Sequence, residues 1–259
     1  MRIGLFGAGR VAAALAPAIV AAGHELAFVA RRPPPSAGAS LSGYPVLLLP
    51  LHQPPPPADL YLLAVPDAAV PAVLAAVAWP AGALVAHLAG ALPLAVFAAA
   101  PQVRGGVLYP LQTFSAGRAI DWPEMPLFVE AAEPAGQATL LALARSLSQR
   151  VALLGSAQRL QLHLGAVFAS NFTNHVLGIA HQLLGAAGLD FALLAPLVRE
   201  TVEKALAAQP SPFAVQTGPA ARHDAPTLAA HAAALAAHPA WQALYAQLTH
   251  GIQAAAAGL

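Results

Sequence analysis

Cysteine is absent from the 259 residues, which excludes disulfides, thiolate nucleophiles, iron–sulfur clusters and thiolate zinc sites together. Lysine is nearly absent too: Lys204 stands alone within the charged helical stretch Arg199 to Lys204, where a solvated face explains it and Schiff-base chemistry has no candidate. Charged residues make up only 9% of the chain and the formal net charge is +1. That balance offers no footing for nucleic acid or an anionic membrane surface. Long uncharged runs occur at 68–86 and 160–189. Pro71, Pro80 and Gly82 break the first, and the second carries His163, Ser170, Asn171, Thr173, Asn174, His175 and His181, too many polar groups for hydrocarbon. With no membrane span and no secretory signal pattern at its start, the sequence reads as cytoplasmic.

What is present begins at once. The apolar run Arg2 to Phe6 feeds into Gly7-Ala8-Gly9 and then into an alanine-rich helical pattern closed by Gly23, followed by a second apolar run, Glu25 to Ala30. This is a strand, a tight turn, a helix and a strand within about thirty residues, the unit that binds a dinucleotide. Gly7 permits the turn, Gly9 lets a diphosphate approach the backbone, and Ala12 is the small residue that lets helix and strand pack closely. Ala8, Arg10 and Val11 complete the turn, at which the helix N-terminus offers free N–H groups to an anion.

The end of the second strand selects the dinucleotide. An NAD site has a carboxylate there, but this chain has Arg31-Arg32 followed by three prolines. Two guanidiniums match a 2′-phosphate in charge and fork geometry, so the expected cofactor is NADP. The competing reading is two arginines that solvate a loop.

Further strands are expected over Tyr44 to Leu49, Leu60 to Val65, Leu84 to Leu88 and Gly106 to Tyr109, with a helix over Ala72 to Ala78. Leu127 to Ala131 and Val151 to Leu154 bracket a helical run, Ala135 to Ser148, as a last β-α-β extension. The fold class is therefore α/β: a doubly wound parallel Rossmann sheet, residues 1–154, followed by an all-helical domain, residues 155–259. In the helical part the pattern gives one long helix over Ala157 to Leu184, a second over Asp190 to Ala207 with Asp190 as N-cap, and two shorter ones over Pro226 to Ala236 and Pro239 to Thr249. At about 100° per residue, His163, Ser170, Asn174 and His181 fall in a stripe roughly 40° wide on the long helix. The stripe is either a solvated face or a row of neutral donors and acceptors facing a cleft.

Several motifs then occur in order: Gly7-Ala8-Gly9-Arg10-Val11, Leu62-Leu63-Ala64-Val65-Pro66-Asp67, His87-Leu88-Ala89-Gly90-Ala91, Tyr109-Pro110-Leu111-Gln112-Thr113-Phe114, Ala166-Val167-Phe168-Ala169-Ser170-Asn171-Phe172 and Thr217-Gly218-Pro219-Ala220-Ala221-Arg222-His223-Asp224. Together they resemble the bacterial Rossmann-like proteins that carry the C-terminal domain of unknown function 2520, which are similar in architecture to pyrroline-carboxylate reductases and the 6-phosphogluconate dehydrogenase superfamily. The resemblance implies NADP contacts from Gly7 to Val11, from Arg31 and Arg32, and from Ala64, Val65, Pro66 and Asp67. It also implies a helical domain that supplies substrate contacts and a homodimer interface.

By the same resemblance, the reaction centre lies where the fifth and sixth strands end and faces the start of the long helix. This would gather His87, Tyr109, Gln112 and Thr113 with His163, Ser170 and Asn171. Hydroxyacid dehydrogenases of the superfamily place a lysine one turn before an asparagine on this helix; relative to Asn171 the place is held by Val167. A histidine is the natural substitute proton donor. His163 and His87 are the candidates, with Asn171, Gln112, Thr113 and Ser170 orienting a small polar substrate. The expected activity is hydride transfer between NADP(H) and a C=O or C=N bond. The alternative is a non-catalytic NADP sensor or scaffold. A metal site lacks the close histidine pair of a zinc helix.

Overall fold

The structure, a computed structural model, describes residues 1–31, 43–44, 46–48 and 53–258. Eight strands, β1 (Arg2–Phe6), β2 (Glu25–Arg31), β3 (Val46–Leu48), β4 (Leu60–Leu63), β5 (Leu84–His87), β6 (Arg104–Pro110), β7 (Leu127–Ala131) and β8 (Val151–Leu153), form one sheet in the order β3-β2-β1-β4-β5-β6-β7-β8. The order reverses beside β1, the switch point at which open α/β sheets bind ligands beyond the carboxyl ends of their strands.

Both faces of the sheet are covered, which is why its central strands are apolar without alternation: every residue of β4 and of β5 is buried. Helices α1 (Arg10–Ala21) and α3 (Pro134–Leu147) cover one face, where Ile3, Leu5, Ile19, Leu62, Leu140 and Leu143 join one core cluster. Helix α2 (Val70–Ala76) and the 3-10 turn Leu94–Ala99 cover the other, over an aromatic cluster of Phe6, Phe28, Tyr61, Trp79 and Phe97. Gly4 is required there: a Cβ would stand 2.4 Å from the Phe28 ring.

The sheet departs from the expected all-parallel pattern at a single junction. β6 and β7 pair antiparallel, and β8 then runs parallel to β7. The connection between β6 and β7 contains no helix, so the chain turns back beside β6 rather than crossing over a face.

The expected long helix is also interrupted. It comprises α4 (Ser156–Ala166), a π-helical stretch Val167–Phe172 and α5 (Thr173–Ala186). A π-helix closes its hydrogen bonds at i→i+5, so the phase of 100° per residue is lost across it. Ser170, within that stretch, therefore does not continue the stripe that starts at His163.

Contacts divide the chain into Met1–Asn171 and Phe172–Leu259. Helix α4, the first helix of the sequence's helical half, belongs with the sheet. The second unit comprises α5, α6 (Ala195–Ala207), α7 (Ala225–Ala234) and α8 (Pro239–Ala257) with short 3-10 turns. Asp190 caps the turn before α6 by accepting from the Ala192 N–H, and Asp224 caps α7 through Thr227. Among its described residues only Ala220 and Leu235 are buried hydrophobics, while Val176, Leu183, Leu193, Leu197, Leu206 and Phe213 are exposed. Among the described residues, no helix is long and apolar enough to cross a membrane.

Candidate functional site

The carboxyl edge of the sheet gathers the predicted residues of the first unit. After β1, Gly7 adopts a φ of +115°, and its N–H donates to the Ala30 carbonyl of β2 at 2.8 Å. An added Cβ at Gly7 would lie 2.2 Å from the Ala64 carbonyl oxygen, so the glycine turn and the Ala64–Asp67 loop after β4 press directly on one another. Gly9 is the N-cap of α1, with no side-chain cap and no acidic residue in the first turn. No side chain of the helix start takes its orphan N–H groups, which can therefore bind an anion. A Cβ on Gly9 would meet nothing within 4 Å; the space against this helix start is open, as a diphosphate requires. Ala12 is wholly buried, while Arg10 is exposed and Ala8 and Val11 are partly buried. In the loop after β4, Ala64 and Val65 are partly buried and Pro66 and Asp67 exposed. Arg31 is the last residue of β2, and Arg32 lies outside the described residues.

The two candidate histidines occupy unlike surroundings. His87 ends β5 with no exposed surface, and its ring stacks on Phe97 at a centroid distance of 5.8 Å. Its Nδ1 accepts from the Ala89 N–H at 3.2 Å, which puts the ring proton on Nε2, where no hydrogen-bond partner of good geometry meets it. Burial, reinforced by the Arg159 charge and partly offset by Glu130 and the Pro93 carbonyl, lowers its pKa from 6.5 to about 4. His87 is therefore a neutral, solvent-free ring at neutral pH.

That shift has a sign. An unfolded chain takes up a proton at His87 near pH 6.5, and the folded chain does so only near pH 4, so the folded state loses stability as the pH falls through that window. The loss is roughly 3 kcal/mol across the window. In a urea-midpoint titration against pH, His87→Gln is expected to flatten this slope, whatever its effect on absolute stability.

His163, on α4, is only partly buried. Its Nδ1 lies 3.1 Å from the Tyr109 hydroxyl, near the end of β6, and the two rings meet edge to face at 6.0 Å. Burial and the nearby Asp67 carboxylate raise the Tyr109 pKa, against a smaller opposing pull from Arg159. Tyr109 thus keeps its proton and can donate it to Nδ1, in which case the ring's N–H is on Nε2. Gly90 makes room for the pair: a Cβ there would stand 2.5 Å from His163 Nδ1 and 2.9 Å from the Tyr109 ring.

Gln112 and Thr113 are exposed on the loop after β6 and bond to each other, the Thr113 N–H donating to Gln112 Oε1 at 2.8 Å. Ser170, partly buried, and Asn171, exposed, lie on the π-helical stretch beyond His163. Among the described residues, no hydrogen bond joins these four to Tyr109 or His163.

The sequence reading passed over a charged cluster beneath the pair. Arg159, 1% exposed, forms an ion pair with Glu130 of β7 and donates to the Leu92 carbonyl at 2.7 Å. Glu130 also accepts from the backbone N–H and the hydroxyl of Ser156 at the start of α4. Burial would raise the Glu130 pKa, but the hydrogen bonds from Arg159 and Ser156 outweigh it and hold the carboxyl below its ordinary value. The available signal was a lone glutamate inside the apolar run Leu127 to Ala131 of a chain that has few charges to spare.

Comparison with known proteins finds two family models. Residues 1–113 match the model of a Rossmann-like domain, and residues 125–252 match that of the domain of unknown function DUF2520. A Bacteroides fragilis structure provisionally named an NADP oxidoreductase is 34% identical, with 97% of each chain covered and a TM-score of 0.83. A reductive aminase from Aspergillus terreus, in complex with NADPH and ethyl levulinate, is 18% identical over 98% of this chain and 93% of its own, with a TM-score of 0.65. The pyrroline carboxylate reductase of Plasmodium falciparum with NADP bound is 10% identical over 99% and 98% of the two chains, with a TM-score of 0.58. The last two likenesses are of fold alone. No curated protein matches the sequence.

Proposed function

The chain belongs to the family that joins a Rossmann-like domain to DUF2520, and from that premise we propose that it is a cytoplasmic, NADP-dependent oxidoreductase acting on a small polar molecule with a C=N or C=O bond. The observation that carries this reading is the Tyr109–His163 hydrogen bond, set on the same sheet edge as the glycine turn. Bound NADPH would supply the hydride. Gly7, Ala8, Gly9, Arg10 and Val11 would hold its diphosphate, Ala64 to Asp67 would line its path, and Arg31 and Arg32 would take the 2′-phosphate, as the sequence predicts. His163 delivers the proton to the substrate from Nε2. Tyr109 fixes the imidazole tautomer and orientation from the opposite nitrogen, as the third member of a catalytic triad orients its base. Gln112, Thr113, Ser170 and Asn171 orient the substrate, and His87 packs behind the site as a neutral ring.

The helical part, residues 155–259, supplies the dimer. Among its described residues the second unit leaves ten large hydrophobics exposed and buries almost none, so its apolar faces find their core against the same faces of a second copy. Sedimentation equilibrium is expected to give twice the chain mass; a monomer at micromolar concentration would refute the dimer.

The test of function has two stages. Calorimetry is expected to show at least a tenfold preference for NADPH over NADH, and Arg31→Ala/Arg32→Ala is expected to abolish it. NADPH oxidation with a panel of imines, keto acids and aldehydes then reads turnover. Failure to bind either coenzyme overturns the reading, and binding without turnover across the panel assigns the chain to cofactor sensing instead.

A further inference from the structure

The buried cluster around Arg159 ties three separate pieces of chain together. Glu130 comes from the end of β7, Ser156 and Arg159 from the first turns of α4, and Leu92 from the loop that follows β5. Arg159 Nη1 binds Glu130 Oε2, while Nη2 donates to the Leu92 carbonyl at 2.7 Å and to Ser156 Oγ at 3.3 Å. Ser156 Oγ in turn accepts from the Leu94 N–H at 2.9 Å. The β5 loop is therefore held to the helix start at two points.

Both attachments bear on His163. It lies four residues beyond Arg159, one turn up α4 on the same helix face. Gly90, whose Cα approaches His163 so closely that a Cβ would sit 2.5 Å from Nδ1, lies two residues before Leu92. The helix that carries the imidazole and the loop that walls it are thus fixed to each other by one guanidinium and one hydroxyl. A buried ion pair contributes little net stability compared with apolar residues of the same volume, but its fork geometry specifies direction and register.

We infer that Arg159 and Glu130 are positioning residues, which set the rotation of α4 against the Gly90 loop so that His163 Nδ1 meets the Tyr109 hydroxyl. This inference rests on the proposed role of the Tyr109–His163 pair. It concerns geometry in the protein alone, so it can be read without substrate or coenzyme.

The experiment is nitrogen NMR of the full chain labelled with 15N-histidine, at a pH near 9, where imidazoles are neutral, with His163→Asn identifying the signal. Wild type is expected to show His163 as a single tautomer, with Nδ1 bare and accepting and the proton on Nε2. Glu130→Met/Arg159→Met replaces the pair by apolar side chains and is expected to melt within about 5 °C of wild type, yet to show His163 as the tautomer mixture of a free imidazole. Arg159→Lys keeps the charge without the fork and is expected to shift the signal the same way. Ser156→Ala, which removes the bridging hydroxyl and leaves both charges, is expected to shift it by less and serves if the double variant does not fold. An unchanged His163 signal in the folded double variant, or in Ser156→Ala should that variant be needed, overturns the positioning role and leaves the pair standing. An unchanged signal in Tyr109→Phe overturns the pair itself, and the inference with it.

Discussion

His163→Ala is expected to lower kcat by about two to four orders of magnitude with the substrate that the panel identifies, while NADPH affinity stays within about twofold of wild type. The range is that of a positioned proton donor, about 3–5 kcal/mol of transition-state stabilisation. Binding is spared because His163 sits on α4 beside Tyr109, whereas the proposed coenzyme contacts are on other elements, the turns after β1 and β4 and the arginines at the end of β2. His87 provides the contrast: it is wholly buried and neutral, so His87→Gln is expected to change acid stability far more than kcat. Pre-steady-state NADPH oxidation reads the two variants side by side, and equal losses of rate in both would contradict the assignment.

Glu130→Ala is expected to destabilise the fold by about 3–5 kcal/mol, the cost of leaving a buried charge without its partner. The reasoning is asymmetric. Arg159 is 1% exposed and Glu130 18%, so the carboxylate left by Arg159→Met still reaches water, while the guanidinium left by Glu130→Ala does not. Arg159→Met is therefore expected to be the milder of the two in urea unfolding. Acid should act through the same group. The Glu130 pKa is lowered on folding, so the contribution of this carboxylate is present above its unfolded pKa and lost as the pH falls through its folded one. Glu130→Ala removes that part of the acid transition.

Much of the first unit was legible because local rules and global packing agree there. The strand over Arg2–Phe6 is matched residue for residue, and a helix closed by Gly23 and a strand from Glu25 follow. Apolar runs, glycines at turns and capping aspartates each carry a local cost or gain that the sequence displays directly. Three features were hidden. The antiparallel entry of β7 depends on which edge the loop after β6 returns to, and no residue in that loop declares it. The π-helical stretch Val167–Phe172 contains neither proline nor glycine, so the sequence shows no break in the periodicity there. The pairing of Glu130 with Arg159 joins residues far apart in sequence, and a single sequence gives no sign that they meet. Tyr109 and His163 were both in view, but their hydrogen bond was not, because it needs the direction of α4.

That direction follows from the reversal at β7. Register places His87 beside Val107 and Val107 beside Glu130, so the anchor for the base of α4 sits level with the middle of β6. Having turned back once, the chain leaves β8 running against β6 and must climb again, and along α4 the guanidinium of Arg159 reaches Glu130, paired with Val107, while His163 reaches Tyr109, two residues higher on the strand. A conventional parallel strand in place of β7 would have released the helix from the opposite rim, already past the imidazole's station, with no staircase on which to carry it there.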